Sequence, residues 1–401
     1  MTISRTRLEN GPALFSYGFR PFFLFGAIWA ALAMLLWLPM LAGGIATRSL
    51  LAPVDWHTHE LMFGYVSAIV AGFLLTAIPN WTGRLPVRGV PLALLFLLWL
   101  AGRAAIWFSA DLGWFATALI DCAFLFSLTA AAAVEIVAGR NWRNLLVLGP
   151  VTILLAANVL FHVEVQFHGI SDISKRLAIA AAIVLIAIIG GRIIPSFTRN
   201  WLVRENPGRL PAPFGRFDAA TLAVSAGALG LWIFLPGRME TGVVLIAAGL
   251  ANLLRLASWA GERTLSDALL LVLHVAYLFV PAGLIVSGFG TIAPDAVPAV
   301  AGIHVFGVGA IGAMTLAVMA RATLGHTGRV LHAGTGTILV FCAIVLATPL
   351  RFAAALMPER TWLLHASATL WIAAFAGFAI FYAAALTQPR VARRQPGRAP
   401  S

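Results

Sequence analysis

Apolar stretches of about 20 residues recur along the chain, and each is long enough to cross a ~30 Å hydrocarbon core as a helix. Twelve can be placed, at roughly 20–42, 57–79, 90–109, 112–137, 144–165, 175–197, 217–236, 240–258, 267–289, 297–320, 330–349 and 361–386. Short breaks such as GGIATRS, RLPVRG and VRENPGRLPAPFGR separate them. No polar–apolar alternation of the kind a barrel strand needs is evident, so the spans read as helices. Only 10% of the 401 residues are charged, against roughly 25% in a soluble domain, which argues against a soluble enzyme. The expected fold is therefore all-α and integral to the membrane: one polytopic domain over 1–401, with a basic tail at 390–401. The first block, Pro21 to Leu41, exceeds the roughly 7–15 residues of a signal-peptide core and is expected to remain as the first helix. Cys122 and Cys342 lie inside apolar blocks and read as buried thiols, with no disulfide framework.

The formal net charge of +12 has a pattern. Arg5 and Arg7, Arg84 and Arg88, Arg140 and Arg143, Arg199 through Arg216, Arg329, and Arg390 through Arg398 fall at the two termini and in every second loop. The alternate loops mix signs: Arg48 with Asp55, Asp111, Asp172 with Lys175 and Arg176, Asp295, and Glu359 with Arg360. The positive-inside rule accounts for the arginines without a nucleic-acid partner and places both termini in the cytoplasm. His57 and His59 then stand at the outer end of the second span.

The second and tenth spans resemble each other. His59 to Arg84 covers 84 − 59 = 25 positions and His304 to Arg329 covers 329 − 304 = 25; both end in Thr-Gly-Arg. The same register pairs Gly64 with Gly309 and Ala68 with Ala313. A partial third copy, IIPSFT at 193–198, resembles AIPNWT at 77–82, with Lys175 in the place of the outer histidine. The expectation is three four-helix pseudo-repeats at about 15–140, 141–262 and 263–389. Repeats of this kind tend to surround a shared central site.

Sorting the nine histidines by depth puts His57, His59, His304 and His365 near the outer ends of their spans. His162 and His168 lie at and beyond the outer end of the fifth. His326 and His332 fall by the inner loop after the tenth, and His274 about two turns into the ninth from the inside. Imidazole is a common ligand of copper, iron and heme, so an outer cluster on separate helices is a candidate metal site. The plainer reading of any one of them is a helix–helix hydrogen bond. His57 and His59 are about 200° apart around a helix and cannot share a ligand face unless His57 lies in a non-helical entry turn after Pro53. Glu60 could orient a histidine ligand through its ring N–H, and with Asp121 could relay protons. Arg103 and Arg351 could pair the acid groups of a cofactor; Arg351 could equally snorkel, as could Arg192, Arg255 and Arg321. Small residues Gly64, Ala68 and Gly72 fit close helix packing, or the clearance a flat macrocycle needs. No Walker, dinucleotide, CxxCH or HExxH motif is present, and HTHEL lacks the second histidine of a zinc protease. Ligands from helices two, six and ten of a twelve-helix, pseudo-threefold bundle would resemble the heme–copper oxidase arrangement, a likeness at the level of fold alone.

HTHELMFGY…GFLLTAIPNWTGR at 57–84, GGRIIPSFTRN at 190–200 and GAIGAMTLAVMARATLGHTGR at 309–329 closely resemble the signature segments of the NnrS family, and LWIAAF after His365 is similar too. The resemblance spans nearly the whole chain. It implies a bacterial inner-membrane protein with heme b and copper, tied to nitric oxide, denitrification and nitrosative stress. The family motifs carry over onto His57, His59, His304 and His326, and less directly onto His274 and His365, without dividing heme from copper ligands. Three functions follow as expectations. The first is a heme–copper protein that binds or converts nitric oxide, in the extreme a reductase with an electron donor. The second is a transporter of copper, heme or another small ligand. The third is a heme-based sensor acting through a partner.

Overall fold

The structure, a computed structural model, describes residues 11–391. Arg5, Arg7, Arg393, Arg394 and Arg398, and with them most of the basic tail, lie outside the described residues. Among those described, twelve helices are long and apolar enough to cross a membrane, and there are no strands. They are α1 (Phe19–Leu41), α2 (Pro53–Thr82), α3 (Val90–Trp107), α4 (Trp114–Ala138), α5 (Trp142–His168), α6 (Ile173–Glu205), α7 (Arg216–Phe234), α8 (Met239–Arg263), α9 (Ala268–Ile292), α10 (Ala299–His326), α11 (Thr335–Leu356) and α12 (Thr361–Thr387). An even number of crossings returns the chain to its starting end. Arg20, at the start of α1, donates to the carbonyls of Leu386 (3.1 Å) and Gln388 (2.6 Å) at the end of α12. A guanidinium there satisfies carbonyls that the helix itself leaves unpaired. This is the termini end; His57 and His304 belong to the opposite end.

Helix edges differ from the sequence expectation in ways that matter for the site. Helix α2 starts at Pro53, four residues before His57, because proline suits the first helical position, where its missing N–H costs nothing. Asp55 anchors this first turn by accepting from the Ser171 amide (3.1 Å) and hydroxyl (2.6 Å). His57 and His59 are therefore both helical. At the other end Pro79 lies inside the helix. Gly83 supplies the stop: at φ +71° it takes the left-handed conformation, and its amide donates to the Pro79 carbonyl (2.9 Å). Pro195 likewise lies within α6, which continues to Glu205.

Helices α2 and α10 are the most enclosed, with 83% and 72% of their most apolar windows buried. Both contain a π-helical stretch, Glu60–Val66 in α2 and Val305–Ala313 in α10. The two begin 305 − 60 = 245 positions apart, the same offset as His59 and His304, 304 − 59 = 245. A π turn widens the helix and frees backbone carbonyls. In α2 the Gly64 carbonyl is taken up by the Trp99 indole at 2.8 Å. The small residues serve close packing. A Cβ on Gly72 would sit 2.7 Å from Phe23, and one on Gly312 2.7 Å from Trp371. Between α5 and α6, Glu164 accepts the amides of Asp172, Ile173 and Ser174 at 3.1, 3.0 and 2.9 Å and so caps α6. Partial burial alone would push the Asp172 carboxyl up, but the Arg176 fork, at 2.7 and 3.0 Å, holds it below the usual range.

Candidate functional site

The two histidines of the α2 entry face two different places. His57 turns into a cavity of about 470 Å³ between α1, α2, α6, α10, α11 and α12. Its ring is stacked on Trp37, with centroids 4.2 Å apart. Its Nδ1 is buried with no hydrogen-bond partner, an uncompensated cost for a polar atom. His304 lines the same cavity from α10. Its Nδ1 lies 2.8 Å from the Val300 carbonyl, which fixes the tautomer: Nδ1 donates and Nε2 keeps its lone pair. Arg351, Lys175 and Arg360 also border the cavity, which is otherwise mostly apolar. Gly307 opens onto it: a Cβ added there meets nothing within 4 Å. Tyr65 and Trp371 are among its lining residues, and Tyr65 shares a hydrogen bond with Thr315 of α10.

His59 points the other way, into a largely buried cluster spanning α1 to α5. Its Nδ1 lies 3.1 Å from Glu60 and its Nε2 3.0 Å from Asp121. Arg103 bridges the same two carboxylates, at 2.7 Å to Glu60 and in direct contact with Asp121. Trp29 donates to Glu60 at 2.6 Å, Asn158 to Asp121 at 2.9 Å, and His162 Nε2 lies 3.1 Å from the same Asp121 oxygen. A neutral His59 would leave one ring lone pair facing a carboxylate oxygen, so this geometry calls for a positive charge on the ring. Arg103 and His59 then balance Glu60 and Asp121, two against two. Balance of this kind is the condition for keeping charges out of water. One ring nitrogen each of His59 and His162 and an Asp121 oxygen also lie within 4.8 Å of one another, a spacing compatible with a metal ion.

The other sequence candidates fall elsewhere. His365 is exposed on α12 and does not line the cavity. Arg103, Glu60 and Asp121 belong to the cluster, whereas Arg351 borders the cavity. His274 is buried near the termini end, with Nε2 2.9 Å from the Thr198 hydroxyl. His326 lines a second cavity at that end. Sequence reasoning did not single out His162 and Asn158 as partners of Asp121. Their signal was present: two polar residues four apart in an apolar span share a helix face. Trp29, Trp37 and Gly307 carried no such signal.

Fold and site together define a polytopic α-helical membrane protein with a histidine-lined intramembrane cavity beside a charge-balanced ionic cluster. Residues 13–390 match the family described as NnrS protein. The chain belongs to the NnrS family. No curated protein matches it.

Proposed function

We propose that the chain is a bacterial inner-membrane protein that holds heme b in the His57–His304 cavity and copper at His59, Asp121 and His162, and binds or converts nitric oxide in nitrosative-stress resistance or denitrification. Membership of the NnrS family supports the nitric oxide role. The observation that carries the two-centre assignment is that His57 and His59, two residues apart, face separate sites. The residues fit a heme in three respects: an orphaned His57 nitrogen, a His304 Nε2 with its lone pair unused, and an open cradle over Gly307. They fit copper in donor type and spacing, and a cuprous ion on His59 Nε2 in place of a proton would preserve the charge balance of the cluster. Bound, the heme would offer an iron that takes nitric oxide as ligand, and the copper a one-electron couple.

The protein's own part is positioning. Trp37 fixes the His57 ring by stacking. Glu60 fixes His59 through Nδ1, as carboxylates behind ligating histidines do. Arg351, with Lys175 and Arg360, borders the cavity and would meet the heme's acid groups. The mostly apolar lining disfavours water and suits a small apolar gas. Glu60 and Asp121 are held within the cluster and do not line the cavity, which favours positioning over proton relay.

One observation favours a second reading, transport of a small ligand. The cavity and its counterpart at the termini end share α1, α2, α6 and α10, as an alternating-access pathway would. Iron and copper analysis of purified protein, with reduced-minus-oxidised spectra with and without nitric oxide, separates the readings. His57→Ala and His304→Ala should lose heme and keep copper; His162→Ala should do the reverse. Wild-type protein, expressed with ample iron and copper, that carries neither metal would sink the heme–copper reading and leave transport.

A further inference from the structure

The second cavity, at the termini end, is also about 470 Å³ and is lined by α1, α2, α6, α9 and α10. Two guanidiniums border it, Arg192 of α6 and Arg321 of α10. Neither pairs with a carboxylate among the described residues. Arg192 donates to the Asn144 side-chain oxygen at 2.9 Å, and the Arg321 guanidinium sits 4.3 Å over the ring of Phe197. Asp267, the nearby acid, caps the start of α9, where it accepts the Leu270 amide at 3.1 Å. His326 also lines the cavity, 5.6 Å from the Phe19 ring between centroids. The remaining wall is largely aromatic and aliphatic, with Trp81 and Phe197 among its lining side chains. Two partly buried cations, facing one apolar space and neither in an ion pair among the described residues, contrast with the paired charges of the cluster around His59. Uncompensated charge inside a membrane bundle is costly and marks a ligand or ion site. The arginine fork suits a carboxylate or phosphate, and the aromatic wall suits an apolar body.

We propose that this cavity is a second ligand site, for an amphiphilic anion whose acid group lies between Arg192 and Arg321 and whose apolar body packs on the aromatic wall. Two sources share that chemistry: a dicarboxylate tetrapyrrole and the headgroup of an anionic phospholipid. The inference stands on the two arginines and is independent of what fills the first cavity.

The test uses the full chain in phosphatidylcholine nanodiscs, titrated separately with phosphatidylglycerol and with hemin and read by native mass spectrometry. Wild type should retain one of these probes. Arg192→Gln and Arg321→Gln should each weaken it about tenfold or more, and Arg321→Lys should weaken it less. His326→Ala tells the sources apart: it should release a tetrapyrrole, which needs an axial nitrogen, and leave a phospholipid in place. Variants that elute as folded protein and hold both probes as tightly as wild type would overturn the proposal, as would a wild type that holds neither. His57→Ala and His304→Ala read the first cavity alone, so failure there leaves this result unaffected.

Discussion

At the scale of single residues, the site depends on side chains that have one geometric option each. Arg103 faces two buried carboxylates at once, and only a planar fork reaches both. Arg103→Leu leaves Glu60 and Asp121 short of a cation and should cost about 3–5 kcal/mol, read as a lowered melting temperature in detergent. Arg103→Lys should recover only part of that loss. Gly307 makes the opposite case, since the space above it belongs to the cavity. Gly307→Leu should therefore cut heme content sharply, while size-exclusion behaviour and thermal stability stay close to wild type. At Gly64, by contrast, a Cβ would lie 2.6 Å from the Arg103 guanidinium and 2.8 Å from Glu60, so Gly64→Ala should disturb the cluster. The histidine pair was partly legible in the sequence. Angular spacing alone separates His57 from His59. What lies opposite them depends on five other helices for His57 and four for His59, which no local pattern encodes.

At the scale of elements, the π stretch of α2 sets the phase between the two histidines and the rest of the helix. It adds residues to a turn, so positions before it are rotated relative to those after it. Inserting an alanine after Leu61 adds a residue that the already widened turn does not absorb and should swing the entry turn by about 100°. The expected outcome is loss of heme and copper together, measured as iron and copper per chain, in a protein that still inserts. Normal content of both metals would show that the entry turn can re-register and that the π stretch does not set it. This feature was not legible from the residues, because a π turn has no composition of its own. Helix ends were legible only where the chemistry is local. Gly83 terminates α2 through its left-handed backbone, whereas Pro79 and Pro195, which look like breakers, are absorbed by long helices in a membrane bundle.

At the scale of the whole molecule, the twelve helices were readable because hydropathy and length are the membrane's own requirements. Orientation across the bilayer is an electrostatic expectation, and it can be checked. A fluorescent reporter after the C-terminus should be bright, and alkaline phosphatase inserted at Gly113, in the α3–α4 loop at the His57 end, should be active. The opposite pattern would invert the protein and put its histidine cavity on the cytoplasmic side.

The charge balance around His59 has a consequence for how the chain is made. Glu60 enters the membrane on α2, Arg103 follows on α3 and Asp121 on α4, so the last of these charges lies 61 positions after the first (121 − 60 = 61). A lone charge at a helix centre costs about 2.5–3.5 kcal/mol to insert, and less toward an end. Each of these helices carries an unpaired charge until its neighbours arrive. Biogenesis of the first third of the chain should then be an all-or-none event, with α2 held at the insertion machinery until α4 has emerged. Truncations that stop after α2 or α3 should be degraded far faster than one that stops after α5.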